Sequence, residues 1–288
     1  MHHVLFLTVC SIWATSFILM KRASESFGAV TIGAWRVFGG ALFLAIIWAI
    51  KGEGWSIKRE HYRHIIFVSL IIYLWPFTIQ PYMVARHGGA FIGMMVSLVP
   101  LMTVILSIPM LKTYPSVRQA VGVLGGLVCL LFLMKDGLQR SIPASHMLMI
   151  ASVPTVYAFG NTYVKQHLSE VPPLPLACVN LSLASLILLP ISQFALSGQI
   201  IEGGDIAMAT NCLVILGLFC TGLATFIGYT LIQKRGPLFA GMVSYVVPLG
   251  AMMWGWWDKE RITATQVICL CGVLLMVALV QTDQRNRR

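Results

Sequence analysis

Ten apolar runs follow one another along this chain with only short polar connections, and each is long enough to cross a bilayer as a helix. They cover residues 4–20, 29–50, 62–84, 88–111, 117–134, 144–164, 174–196, 209–231, 237–257 and 263–281. At a rise of about 1.5 Å per residue, about 20 residues span the roughly 30 Å hydrocarbon core. A membrane barrel uses strands of about 9–11 residues with alternating polarity, so unbroken runs of this length exclude it. Composition agrees: 58% of the 288 residues are hydrophobic and 10% are charged, where a soluble domain carries about 25% charge. The mean hydropathy of +0.82 calls for a non-aqueous surrounding, since a water-soluble fold could not cover its surface with so few polar groups. The expectation is an all-helical integral membrane protein of ten spans with no room for an extramembrane domain. The first run lacks a preceding basic segment and is followed at once by Lys21 and Arg22, so it reads as a retained helix and not a cleaved signal peptide.

The formal charge of +10 does not point to nucleic acid, because all but one of the twenty Lys and Arg residues sit in small clusters between apolar runs and form no basic face. The seven cysteines all fall within apolar runs without a CxxC pair, which indicates neither a zinc site nor a disulfide framework. No cofactor is expected. With the N-terminus in the cytoplasm, the inner loops and tail carry Lys51, Lys58, Arg59, Arg63, Lys112, Arg118, Lys165, Lys234, Arg235, Arg285, Arg287 and Arg288, twelve in all. The outer loops then carry seven: Lys21, Arg22, Arg86, Lys135, Arg140, Lys259 and Arg261. The excess favours both termini in the cytoplasm.

Aligning the chain with itself reveals a repeat. The segment from Gly88 to Leu101 matches Gly236 to Leu249 without a gap, with seven of fourteen positions identical, including the pairs Gly88/Gly236, Phe91/Phe239, Gly93/Gly241 and Pro100/Pro248. Paired Gly, Phe and Pro at one fixed offset are harder to obtain from composition alone than matches of Leu, Val or Met. The correspondence continues where Trp13-Ala14 and Lys21 fall opposite Tyr157-Ala158 and Lys165, and where Gln119 and Gly125 fall opposite Gln266 and Gly272. Two halves of five helices follow, residues 1–140 and 141–288. Five is odd, so the halves must enter the membrane from opposite sides as inverted copies, an arrangement of secondary transporters that expose one midplane site to either side in turn.

The motifs that carry a resemblance are Trp13-Ala14-Thr15-Ser16-Phe17 followed by Lys21, Arg36 in the second run, and the Gly-x-x-x-x-Gly to Pro pattern of the fourth and ninth runs. To these add the Glu260-Arg261-Ile262-Thr263 turn and the glycines of the fifth and tenth runs. The chain resembles the drug/metabolite transporter superfamily in its EamA type, over nearly its whole length. It departs from that pattern at Lys112-Thr113-Tyr114, where a Glu-Arg turn is common, and at Tyr157, where Trp is common. The resemblance implies an exporter or permease for small metabolites, with amino acids the first expectation, and not an enzyme. An integral-membrane enzyme, or a translocator of lipids or hydrophobic drugs, is the alternative.

No Asp or Glu lies well inside a run, so a strongly cationic substrate would lack a buried counter-charge, and uncoupled facilitated export is the simpler mechanism. Arg36 is the ionisable residue deepest in a run. It serves either to tie helices together or to meet a substrate carboxylate. Pro100 and Pro248 each remove a helix hydrogen bond near midplane, which leaves either a hinge with freed carbonyls or a fixed kink. The expected substrate-binding set is Trp13, Ser16, Arg36, Gln80, Tyr82, Tyr157, Asn161 and Tyr245, a few polar groups in a mostly apolar lining. Tyr157 and Asn161 are four residues apart and share a helix face. His61 and His64 read as headgroup-level or solvated residues and not as a metal pair. Glycines 122, 125, 126 and 272 let helices pack closely, within the bundle or between protomers, so a homodimer stays open. The expected partners are a small-molecule metabolite and the lipid bilayer.

Overall fold

A computed structural model describes residues 2–52, 54, 56–112, 116–139, 141–195, 201, 203–236, 240 and 243–285. Among them the chain is helical throughout, with no strand. The stretches, labelled here in chain order, are α1 His2–Ser24, α2 Ala29–Lys51, α3 Arg59–His87, α4 Gly89–Leu111 and α5 Val117–Gln139. They continue with α6 Ala144–His167, α7 Pro173–Ala195, α8 Ile206–Arg235, α9 Val243–Trp257 and α10 Ala264–Arg285. Among the described residues, six of these (α1 to α4, α7 and α8) are long and apolar enough to cross a membrane, and Ala264–Met276 in α10 is a shorter apolar helix. Large apolar side chains such as Ile50, Leu148, Leu186, Phe194 and Leu275 face outward, as they would toward lipid and not toward water.

Caps set the helix ends more sharply than hydropathy does. The Asp205 carboxylate accepts from the Met208 amide at 3.0 Å, which starts α8 several residues before its apolar run. Gly52, at φ 62°, closes α2. Gly88 (φ 88°, ψ 153°) and Gly236 (φ 90°, ψ 163°) follow the ends of α3 and α8 in the same unusual conformation, which a side chain would strain.

Two further local features recur in both halves. Each of α3 and α8 contains a π-helical stretch, Ser69–Leu74 and Leu216–Leu223. Each of α4 and α9 contains its proline, and in α4 the helix breaks at Ser97 and Leu98 just before Pro100, where i to i−3 bonds from Ser97 to Met94 (3.1 Å) and from Leu98 to Met95 (3.2 Å) replace the α pattern. In α9 the described helix runs through Pro248 without such a break.

The helices alternate in direction. One end gathers the α1–α2, α3–α4, α5–α6, α7–α8 and α9–α10 connections, as the pairs Lys21–Glu260, His87–His146, Asp136–Thr263 and Ile201–Ser26 show. The other end brings the starts of α3 and α7 against the ends of α6 and α8, through His64–Tyr163, Lys165–Gln233 and Gln233–Val171. Packing pairs α1 with α9, α4 with α6 and α9, α2 with α7 and α8, α3 with α7, and α5 with α10. Exchanging each helix for the one five places away turns this set of pairs into itself. The α2–α8 contact depends on glycine: a Cβ at Gly40 would sit 2.9 Å from the Gly222 nitrogen, and one at Gly39 would sit 3.2 Å from the Gly217 Cα.

Candidate functional site

Between α1, α2, α3, α4, α6, α8 and α9 lies a cavity with about 970 Å³ of space unfilled by protein, part of it open to solvent. Six expected residues line it together: Trp13 and Ser16 from α1, Arg36 from α2, Gln80 from α3, and Tyr157 with Asn161 from α6. Tyr82 does not. It lies two residues past Gln80, about 200° around the helix, where Arg86 covers its ring at 3.6 Å and His146 meets its edge. The side chain of Tyr245 lies outside the described residues.

The cavity walls hold their polar groups by contacts between the two halves. The Trp13 indole donates to the Cys220 carbonyl at 3.2 Å, an acceptor within the π stretch of α8, while its ring lies against Gly228. The Tyr157 hydroxyl donates to Gln80 Oε1 at 3.2 Å. Trp13 and Tyr157 each precede their lysine, Lys21 or Lys165, by eight residues, and Gln80 and Gly228 each precede their turn glycine by eight. Under the repeat alignment the two contacts are counterparts, each crossing from one half to the other. The Ser16 hydroxyl is turned back to the Trp13 carbonyl at 2.6 Å.

Arg36 is 3% exposed. Its Nε donates to Thr221 Oγ1 at 3.1 Å, Nη1 approaches the Met20 thioether at 3.2 Å, and the guanidinium lies over the Phe77 ring at 4.4 Å. Beside it a buried chain that sequence reasoning did not assemble runs from Ser69 to Asn180 Oδ1 (2.7 Å), from Asn180 Nδ2 to the Tyr229 hydroxyl (3.1 Å), and between the Tyr73 and Tyr229 hydroxyls (2.8 Å). Asn180 was visible as an amide in the middle of an apolar run, but nothing local told which helix would receive it. Pro100 and Pro248 do not line the cavity, yet the residues four before them, Val96 and Ser244, do. Those are the positions whose carbonyls the prolines leave without an in-helix partner.

Of the cavity lining, Ile232 and Ala240 flank the α8–α9 turn. At the opposite end of the bundle, charged residues tie the helices together. Glu260 accepts from the Gly89 and Ala90 amides at 2.9 Å each and from Lys21 Nζ at 3.0 Å. Lys21 also meets Asp258 at 2.5 Å, and Arg22 pairs with Asp258 and with Glu25. The Glu260-Arg261-Ile262-Thr263 turn therefore places its first residue as the cap of α4. At the other end Lys165, the counterpart of Lys21, donates instead to the Gln233 carbonyl at 2.9 Å, and Gln233 in turn holds Leu168 and Val171. The counterpart turn at Lys112-Thr113-Tyr114 lies largely outside the described residues. Neither His61 nor His64 joins a metal cluster, since no group of three or more metal-ligating side chains exists among the described residues. His64 bonds Tyr163 at 2.7 Å and stacks on His167.

Comparison with known proteins reaches the same region of protein space. The EamA-like transporter family matches residues 1–135 and again residues 144–282. The chain is 22% identical over 280 residues to the uncharacterized transporter YoaV of Bacillus subtilis (strain 168), covering 93% of this chain and 94% of that protein. A solved crystal structure shares its fold with a TM-score of 0.70 at 17% identity, covering 97% of this chain and 96% of the other. These relationships, with the apolar helices, make it a multi-pass membrane transporter.

Proposed function

On the premise that this chain belongs to the EamA-like transporter family, we propose that it is a secondary transporter with ten spans in two inverted five-helix repeats, residues 1–140 and 141–288. It moves a small metabolite, with amino acids and related compounds as the first class to test, in the export direction across a bacterial inner membrane. The single observation that carries this reading is the convergence of Trp13, Ser16, Arg36, Gln80, Tyr157 and Asn161 from both halves on one cavity. The matched contacts Trp13–Gly228 and Tyr157–Gln80 support a two-fold relation through that cavity, which is the symmetry alternating access requires.

In this mechanism the structure represents one of two states. The ion pairs around Lys21, Asp258 and Glu260 close the end that lies outside when both termini are cytoplasmic, while the lining extends toward the α8–α9 turn on the inner side. Opening outward requires the Glu260 cap to leave α4 or to move with it. The break before Pro100 supplies a joint in α4, and the carbonyls of Val96 and Ser244 offer acceptors at the cavity wall.

The test is flux in liposomes carrying the purified protein, with labelled neutral, acidic and basic amino acids and nucleosides, with and without a proton gradient. Saturable flux of one class, unchanged by the gradient and lost in Trp13→Ala, bears the proposal out as a facilitative carrier. Flux that tracks the gradient would replace uncoupled export by proton coupling, and no flux of any class would remove metabolite transport as the function.

A further inference from the structure

We propose that the cavity selects organic anions: a carboxylate pairs with Arg36, an apolar or aromatic body packs along Trp13 and Phe77, and cations and zwitterions are rejected. This rests on the transport reading of the same cavity but replaces amino acids, which are zwitterions, by organic anions as the substrate class, and its binding arm is read without transport.

The argument starts from an incomplete guanidinium. Arg36 is buried and lines the cavity, yet among the described residues no carboxylate lies within ion-pair distance. Of its five N–H donors, one has an oxygen acceptor in Thr221 and one faces a thioether, a weak acceptor, while Nη2 has no hydrogen-bond partner among the described residues. A cation taken out of water without a counter-charge is costly, and buried ionisable groups inside a membrane are ordinarily paired or face a polar path. The Phe77 ring offsets part of that cost but gives no acceptor for the free end of the fork. What the protein leaves open, a guest in the cavity can complete, and a planar carboxylate fits a guanidinium through two parallel hydrogen bonds.

The rest of the lining settles the sign. The Asn161 amide and the Ser244 hydroxyl also line the cavity without a side-chain hydrogen bond among the described residues, and both are neutral. No Asp or Glu is part of the lining, so an ammonium group would enter without a counter-ion beside a fixed positive charge. A zwitterion would gain at Arg36 and lose at its amine. An anion offsets its own dehydration by pairing with Arg36 and brings no amine to desolvate.

The experiment compares four probes of one body: phenylacetate, phenylacetamide, phenylalanine and phenethylamine. Binding to the purified protein in detergent is read by tryptophan fluorescence, and flux of each is measured separately in liposomes. Phenylacetate is expected to bind about 10- to 100-fold more tightly than the amide, the range for one charge-assisted hydrogen bond, and at least about tenfold more tightly than the other two. Arg36→Gln should bring acid and amide level, and Arg36→Lys should keep a weakened preference for the acid. Equal binding of amide, zwitterion or amine, an intact acid preference in Arg36→Gln, or no binding of any probe would overturn the proposal. If Arg36→Gln does not fold, the acid-to-amide ratio in the unaltered protein decides. Phenylacetate binding without flux removes the transport reading and leaves this one standing. Flux of the probes without preference for the acid does the reverse.

Discussion

Replacing Glu260 by Gln separates the charge of the α4 cap from its shape. The carboxylate is 10% exposed on its side chain and holds three donors: Gly89 and Ala90 amides at 2.9 Å and Lys21 Nζ at 3.0 Å. Gln keeps one acceptor oxygen and puts an NH2 where the other was, so one amide of the α4 N-terminus meets a donor. Losing one charge-assisted bond costs about 1.5–3 kcal/mol. Losing the negative charge at the start of the helix adds about 0.3–1 kcal/mol. Lys21 retains Asp258, so its own loss is partial. The expected destabilisation is therefore about 2–4 kcal/mol. It is measured by titrating the protein in mild detergent micelles with dodecyl sulfate and following tryptophan fluorescence. Glu260→Asp, which keeps the charge on a shorter arm, should fall between Gln and the parent. In a double-mutant cycle with Lys21→Met, Glu260→Gln should couple by about 1 kcal/mol or more. A loss below about 0.5 kcal/mol in Glu260→Gln, the size of an ordinary surface substitution, would refute the reasoning that this turn exists to cap α4.

Other substitutions test the remaining steps. Tyr157→Phe leaves Gln80 Oε1 without its donor and should slow flux severalfold while lowering stability by only about 1 kcal/mol, read by liposome flux beside the same titration. Gly40→Ala should destabilise by about 1–3 kcal/mol, because its new Cβ meets the Gly222 nitrogen and not a movable side chain; recovery as a monodisperse peak after heating in detergent reports it. Pro100→Ala restores a donor to the Val96 carbonyl and should abolish flux with stability kept or raised, whereas unchanged flux would make the break in α4 a packing feature only. Ser141→Cys and Glu170→Cys, at exposed positions on opposite ends, should differ in whole cells. An impermeant maleimide labels the first and not the second if both termini are cytoplasmic.

Most of the architecture was legible because it follows from solvation, which each residue settles with its own surroundings. A run such as 88–111 is apolar wherever it packs, and its glycines and proline repeat at 236–248 whatever their neighbours, so helix class, membrane residence and internal repetition could be read without a fold. Six of the eight expected site residues reached the cavity for a related reason: polar groups in an apolar run avoid lipid and turn inward. Tyr82 failed that logic since, near the end of α3, it found Arg86 and His146 at the membrane edge instead.

What only the tertiary structure decided is which inward group meets which. Arg36 bonds Thr221, 185 residues away, and Asn180 bonds Ser69 and Tyr229, pairings set by helix rotation and by the π stretches that shift the face of α3 and α8. The same holds for the difference between the two ends. Lys21 and Lys165 look equivalent in the repeat, but one faces Asp258 and Glu260 while the other faces a backbone carbonyl. Hydropathy is a sum over single residues and survives any packing. A hydrogen bond needs two atoms within about 3 Å, and only the packed bundle brings them there.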